Sequence, residues 1–432
     1  MDVTALERDL RTYQPAGETR FPADFVWPRY EGLCNGNIAA TAASVLGATL
    51  PGVLPPLRSD LLDGLLDGVE RVIVLVIDAL GWEQLQGVMA RHNDVVFHQL
   101  AEQGRLSPLT TGFLSTTNSV LSMIWTGRPP IEHGLLAYEL FLREWSMAVE
   151  SIGFSSVHEP FANTLLKWEF EPEKFLPVPA IAQTLAAQGI DTYNVTADRF
   201  TKTPLSLMHA RGTKEVFGHA TASDFWLRLR RVLEEHRGER FLLGGYWSLV
   251  DTLAHRMGPL DESGDAEIKS IALLMEEIFL NRLDPADREG TLLLMTADHG
   301  QITTPPESAI LLDDHPRLRD ALFLRPLGES RVPFFYVRHG QYATVWDYLH
   351  ENLAEHFIFL SRDDVIDSGL LGMGKEYVEV RHRLGDIIGI AKDNSFLERS
   401  KEHAHKMWGR HGGLLPQEML VPLLAVRLDT GS

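Results

Sequence analysis

Three stretches of the chain carry apolar side chains at nearly every position over about seven residues: Arg71 to Ile77, residues 241–247 and residues 291–297. Runs of this length, rich in Val, Ile and Leu, predict strands buried on both faces, because one-face burial would leave alternate positions polar. Each leads into acidic residues. Asp78 closes the first run and Ala79-Leu80-Gly81 opens a loop, the second leads to Asp251, and the third runs into Asp298-His299-Gly300. A further strand is predicted at 191–195, and helix-period stretches at 181–188, 225–236 and 268–280 alternate with the strands. This alternation predicts an α/β fold with a mostly parallel sheet and helices on both faces. Ligands collect at the carboxyl ends of the strands in such sheets, which is where the acidic residues fall.

Between His299 and His411 the chain carries a strand-helix-strand pattern of its own, at 332–337, 344–356 and 357–360. The prolines at Thr304-Pro305-Pro306 mark an entry, and Leu384-Gly385-Asp386 followed by the run 387–391 marks a return to the main sheet. The expected organisation is a core from 1–304 and 385–432 with a small inserted subdomain at 305–384. No internal repeat or low-complexity segment breaks this pattern.

Composition narrows the class. At 432 residues with 44% hydrophobic and 23% charged side chains, the chain has material for a large core. A formal net charge of −19 argues against a general nucleic-acid-binding surface, which needs a basic stripe, while leaving room for bound cations and a small phosphorylated substrate. Cys34 is the single cysteine, residues 1–20 lack an apolar signal core, and no apolar run reaches bilayer length. These features predict a cytoplasmic protein with no membrane partner.

The candidate chemistry lies in Asp78, Asp251 with His255, Asp298 with His299, and His411, together with Thr117 inside Leu114-Ser115-Thr116-Thr117-Asn118-Ser119. Carboxylates and imidazoles are the usual ligands of divalent ions, and two such ions can clamp the attacking and leaving oxygens of a phosphoryl transfer. Asp251 and His255 are four apart, so a helix places both on one face. Asp298-His299 can reach a single ion where the chain turns at Gly300. Thr117 precedes a helical segment at 120–125, which puts its hydroxyl and the Asn118 N–H at a helix start that favours negative oxygen. Each motif also has an ordinary reading: a surface ion pair for Asp251 and His255, a polar turn for Asp298-His299, a helix cap for Asp78 or Thr117. His411, flanked by Gly409, Gly412 and Gly413, is favoured over His403 and His405, which fit an exposed charged turn, and His133 reads as structural.

In their order along the chain these segments resemble the alkaline phosphatase superfamily, in particular its type I phosphodiesterase/nucleotide pyrophosphatase branch. The matching pieces are Val76 to Gly81, Leu114 to Thr117, Thr126-Gly127-Arg128-Pro129 with His133-Gly134, Asp251 to His255, Ala297 to Gly300, and His411-Gly412-Gly413. The resemblance implies a three-layer α/β/α sandwich and two divalent ions, zinc most commonly, with manganese or iron compatible with the same ligands. One ion would be held by Asp251, His255 and His411. The other would be held by Asp78, Asp298, His299 and the oxygen of Thr117, the nucleophile, through a phosphothreonine intermediate.

Two positions depart from the family pattern. Tyr138 stands where relatives use an asparagine against a phosphoryl oxygen, so its phenol either takes that role or packs as a buried tyrosine. Leu114 stands where relatives commonly carry proline, which predicts a looser turn before Thr117. The expected activity is hydrolysis of phosphodiester or nucleotide pyrophosphate bonds in a small phosphorylated substrate. A phosphomonoesterase or phosphonate hydrolase is the alternative on the same site, and a phosphomutase or a non-catalytic binding module is disfavoured.

Overall fold

The structure, a computed structural model, describes residues 2–159 and 161–429. Its central sheet has seven strands: β1 (Arg71–Ile77), β2 (Arg105–Thr110), β3 (Asp191–Ala197), β4 (Glu215–His219), β5 (Phe241–Trp247), β6 (Thr291–Thr296) and β7 (Leu420–Arg427). They lie in the order β2-β7-β6-β1-β5-β3-β4. All neighbours pair in parallel except that β7 runs antiparallel to both β2 and β6. The predicted strands are present, and their apolar runs are explained by position: β1, β5 and β6 lie inside the sheet, and β1 and β6 are buried at every residue.

Two adjacent glycines of β5 show that both faces are covered. A Cβ on Gly245 would meet Phe225 and Leu229 of the helix Ala222–Glu235, whereas one on Gly244 would lie 2.6 Å from Trp125 of the helix Thr117–Thr126. Successive strand residues point to opposite faces, so these helices sandwich the sheet in three layers.

A second, antiparallel sheet of seven short strands stands beside the site, in the order Phe357–Ser361, Ile387–Ala391, Pro333–Phe335, Leu327–Gly328, Glu139–Leu142, Met147–Glu150, Ser155–Ser156. It corrects one expectation. Ile387–Ala391 pairs with Phe357–Ser361 and Pro333–Phe335, so the chain returns to the central sheet at β7 instead. The run misled because a short apolar strand has the same pattern in either sheet. Here Ile387 and Ala391 fill a small separate core with Val345, Leu349, Phe357 and Phe359. Strands from 139–156 also join this sheet, in a region whose sequence shows no readable motif.

Candidate active site

Register builds the site first. β1 and β6 pair Val76 with Thr296, and continuing that alignment two residues sets Asp78 beside Asp298 where both strands end. The loops that follow approach closely: a Cβ on Gly300 would lie 2.1 Å from the carbonyl of Gln417 and 3.1 Å from Gly81 Cα. Gly300 is therefore needed for close approach, whereas the left-handed turn falls on Ala79 (φ 59°), an unfavourable backbone for an alanine. The Ala79 and His299 N–H groups both donate to Asp298 Oδ1, at 3.1 and 3.0 Å.

β5 leads into the helix Leu249–Met257, where Asp251 and His255 share a face with His255 Nε2 3.2 Å from Asp251 Oδ1. The segment carrying His411 is fixed between this helix and the Thr117 loop. Trp408 N–H donates to His255 O, Gly412 N–H donates to Ser115 Oγ, and Ser115 Oγ donates to Gly413 O. The glycines around His411 serve contacts other than a metal approach. A Cβ on Gly409 would lie 2.3 Å from Ala254 O, and one on Gly412 would lie 2.9 Å from the stem of Glu329. The turn before Thr117 is not loosened by Leu114, which is fully buried and accepts the Thr116 N–H through its carbonyl.

The structure brings Asp78, Thr117, Asp251, His255, Asp298, His299 and His411 together. Thr117 Oγ1 lies 3.1 Å from His299 Nε2, which lies 3.6 Å from Asp78 Oδ1 and 3.7 Å from Asp298 Oδ2. Potential metal-ligating atoms of Asp78, Asp298 and His299 form one compact group and those of Asp251, His299 and His411 another, so His299 belongs to both. His255 reaches the second group through Asp251. The His299 and His411 rings stack at 3.7 Å between centroids.

All three imidazoles are oriented alike. Nδ1 of His255, His299 and His411 lies 2.8, 3.0 and 3.0 Å from the carbonyls of Gly409, Gly300 and Ser115. A carbonyl can only accept, so each Nδ1 carries a proton and Nε2 is the ring nitrogen turned inward. Burial, with His299 and His255 alongside, holds the His411 pKa well below the ordinary value and keeps that ring neutral. Burial and the charges of Asp298 and Asp251 push the Asp78 carboxyl well above its usual range. Asp78 Oδ1 and Asp298 Oδ2 are buried without a hydrogen-bond donor among the described residues. Buried carboxylates crowded together are stabilised by a cation, and this donor set fits divalent metal.

Asn118 and Tyr138 lie differently from the seven. The Asn118 amide donates to Ala137 O (2.5 Å) and Ser151 Oγ (2.6 Å), and its backbone N–H lies in the first turn of the helix Thr117–Thr126. Tyr138 is 39% exposed with its phenol beside Glu150, and it lines a cavity of about 530 Å³ together with Thr117, His255 and His411. His403 lines the same cavity and is held by Ser400, while His405 is exposed. His133 is fully buried outside the site and accepts the Leu135 N–H.

A model of the type I phosphodiesterase/nucleotide pyrophosphatase family matches residues 72–414, from the first metal-type strand to just beyond His411. The chain belongs to that family. Members of the type I phosphodiesterase/nucleotide pyrophosphatase family, part of the alkaline phosphatase superfamily, are metal-dependent phosphoester hydrolases, and this chain is one in class. Among solved structures, human ectonucleotide pyrophosphatase/phosphodiesterase 5 is similar at 18% identity and a TM-score of 0.62, over 82% of this chain and 87% of the other. The murine protein of the same name gives 18% and 0.60 over 82% and 87%. Phosphonoacetate hydrolase from Sinorhizobium meliloti 1021, in complex with phosphonoformate, gives 19% and 0.60 over 82% and 89%. At these identities the likeness shows a shared fold. A comparison with curated proteins gives no match.

Three residues complete the site that sequence reading passed over. Tyr246 donates its hydroxyl to Asp78 Oδ2, and Gln301 Nε2 donates to Asp251 Oδ1 at 2.5 Å. Glu329 accepts from Thr116 Oγ1 (2.5 Å) and from Tyr138 N–H (3.1 Å), and burial pushes its carboxyl up to about 8. Gln301 sits two residues beyond His299, a nearness that could have drawn attention to it. Glu329 lies in a hairpin of the other sheet, and no sequence signal connects it with Thr116.

Proposed function

We propose that this protein hydrolyses phosphodiester or nucleotide pyrophosphate bonds through a phosphothreonine at Thr117. The observation that carries the reading is the convergence of inward-facing Nε2 atoms and donor-free carboxylate oxygens around one threonine hydroxyl at a helix start. Asp251, His255 and His411 would hold one divalent ion, and Asp78, Asp298 and His299 with the Thr117 oxygen the other, His299 lying against both groups. The mixed imidazole and carboxylate set favours zinc, with manganese and iron compatible. Bound there, the ions supply positive charge that lowers the pKa of the Thr117 hydroxyl and offsets charge on the reacting oxygens.

The chain's own residues do the rest. Thr117 Oγ1 attacks phosphorus and the ester oxygen opposite departs. The Asn118 N–H and the Tyr138 hydroxyl donate to a phosphoryl oxygen. Water then cleaves the phosphothreonine and returns the hydroxyl. A diester monoanion is favoured over a monoester dianion, because two of the three arginines lining the cavity, Arg325 and Arg410, are already paired with Glu139 and Glu398. A phosphonate dianion is disfavoured on the same ground.

The test compares bis(p-nitrophenyl) phosphate, thymidine 5′-(p-nitrophenyl phosphate) and p-nitrophenyl phosphate as substrates, with elemental analysis of the protein. Diester hydrolysis with bound metal is expected. Thr117→Ala should lower kcat/KM by at least ~1000-fold and abolish the phosphoryl adduct in the intact mass of acid-quenched protein. Preference for the monoester would reject the diester reading.

A further inference from the structure

Beyond His411 the chain forms a short helical turn, Pro416–Met419, that no step of the proposed reaction uses. It abuts three turns that each follow a candidate ligand. Gly300 N–H donates to Glu418 O at 2.9 Å, Gly413 N–H donates to Glu418 Oε1 at 2.8 Å, and a Cβ on Gly81 would lie 3.4 Å from Gln417 O. Gly300 follows His299 directly, Gly413 follows His411 by two residues, and Gly81 follows Asp78 by three. The turn therefore stands behind both groups of candidate ligands at once.

What holds Glu418 comes from the second sheet. Leu327–Gly328 and Pro333–Phe335 pair as a hairpin, and its tip places Arg331 against Glu418 with Nε 3.0 Å from Oε1 and Nη2 2.7 Å from Oε2, neither side chain being exposed. Arg331 Nη1 donates to Asp393 O at 2.8 Å and to Ser395 O at 2.6 Å, so four of the five guanidinium N–H groups are engaged and the plane is fixed. Glu329, on the same tip, holds the hydroxyl of Thr116 beside the nucleophile. A buried ion pair is often no more stabilising than apolar side chains of similar volume, because desolvation offsets the attraction. Stability alone gives no reason for charge here, whereas a two-pronged pair sets direction as well as distance.

We propose that Arg331 and Glu418 are positioning residues for the metal centre: through the turn Pro416–Met419 they set His411 against His299, whose rings stack at 3.7 Å, and so fix the spacing of the two ions. Both act through the loops, and neither borders the large cavity. The second sheet is then a brace for the ligands as well as a wall of that cavity. The inference rests on the two-ion reading above.

The test separates geometry from stability. Removing one partner leaves the other charged and unpaired in the interior, so the informative variant is the double, Arg331→Met with Glu418→Met. Its control is Val232→Ala, a cavity made in the buried face of the helix Ala222–Glu235, outside the site. Melting of the metal-free proteins and chelator-buffered zinc titrations are measured on both. The double should bind zinc about 10–100-fold more weakly than wild type, whatever its Tm, while the control melts lower and keeps its affinity. Replacing Glu418→Met by Glu418→Gln in the double restores an acceptor for the Gly413 N–H and should return part of the lost affinity. Zinc affinity equal to wild type in the double, or lowered only as far as in a control of the same Tm, overturns the assignment and leaves the metal reading standing. Should the double fail to fold, Arg331→Lys keeps the charge without the two-pronged grip: weaker zinc binding supports the proposal, and unchanged binding refutes it. Should the wild type bind neither zinc, manganese nor iron, the functional reading fails by itself. Crystal structures of the wild type and the double then decide: His299 and His411 rings parted in the double support the positioning role, and an intact stack refutes it.

Discussion

The side chains that could hold metal are set by backbone carbonyls. Gly409, Gly300 and Ser115 each fix one imidazole, so the inward nitrogen of every histidine follows from main-chain geometry. Gln301 does the same for Asp251 through a direct hydrogen bond. Groups that orient ligands typically matter ten- to a hundredfold for metal affinity. Gln301→Leu should therefore weaken metal binding by about 10–100-fold in a chelator-buffered titration with the fold intact, and an unchanged affinity would show that Asp251 needs no such support. Residue types and spacing made Asp78, Asp251, His255, Asp298, His299 and His411 legible, because strand ends and an i, i+4 pair leave a pattern in the chain. Tyr246 and Glu329 were not legible, since each reaches its partner across elements that are far apart in sequence.

At the scale of elements, the strands were read well and the second sheet poorly. β1 and β5 begin and end where their apolar runs do, since burial on both faces leaves no ambiguity of period. The helix of the nucleophile starts at Thr117, three residues before the apolar stretch that suggested it, because the first turn is polar and faces the site. Segment 138–175 gave nothing to read; its hairpin pairs 139–142 with 147–150 and joins the second sheet through Glu139 beside Gly328. One tight junction between elements is Gly409 against the helix Leu249–Met257. Gly409→Ala would place a methyl group against Ala254 O and Gln301 Oε1, so it should destabilise the protein by ~1–3 kcal/mol and lower activity by displacing Asp251 and His255. Thermal melting and diester kinetics measured together would check this, and a variant with wild-type melting and rate would refute it.

For the whole molecule, acidity has two faces. Three carboxylates, Asp78, Asp251 and Asp298, crowd one end of the sheet, and a bound cation stabilises the native state by mass action. Removing metal with a chelator should lower Tm, and graded return of free zinc should raise it; a Tm indifferent to both would contradict the cation site. Low pH acts through other groups. Burial lowers the pKa of both His133 and His209 to about 3. Between that value and the ordinary value near 6.5 the unfolded chain binds more protons than the native one, so the stability these rings contribute is complete above about 6.5 and is lost as pH falls toward 3. Denaturant titrations should show this decline, and His209→Gln should flatten part of it.

The sheet order also sets a timetable. Among the described residues β2 pairs with β7 alone of the sheet's strands, beside one bridge from Thr110 to Cys34, and β2 leads directly into the loop bearing Thr117. During synthesis, therefore, the nucleophile's loop cannot be anchored in the sheet until residues 420–427 have left the ribosome. A nascent chain halted before that point would already contain every candidate ligand and still be unable to cut an ester.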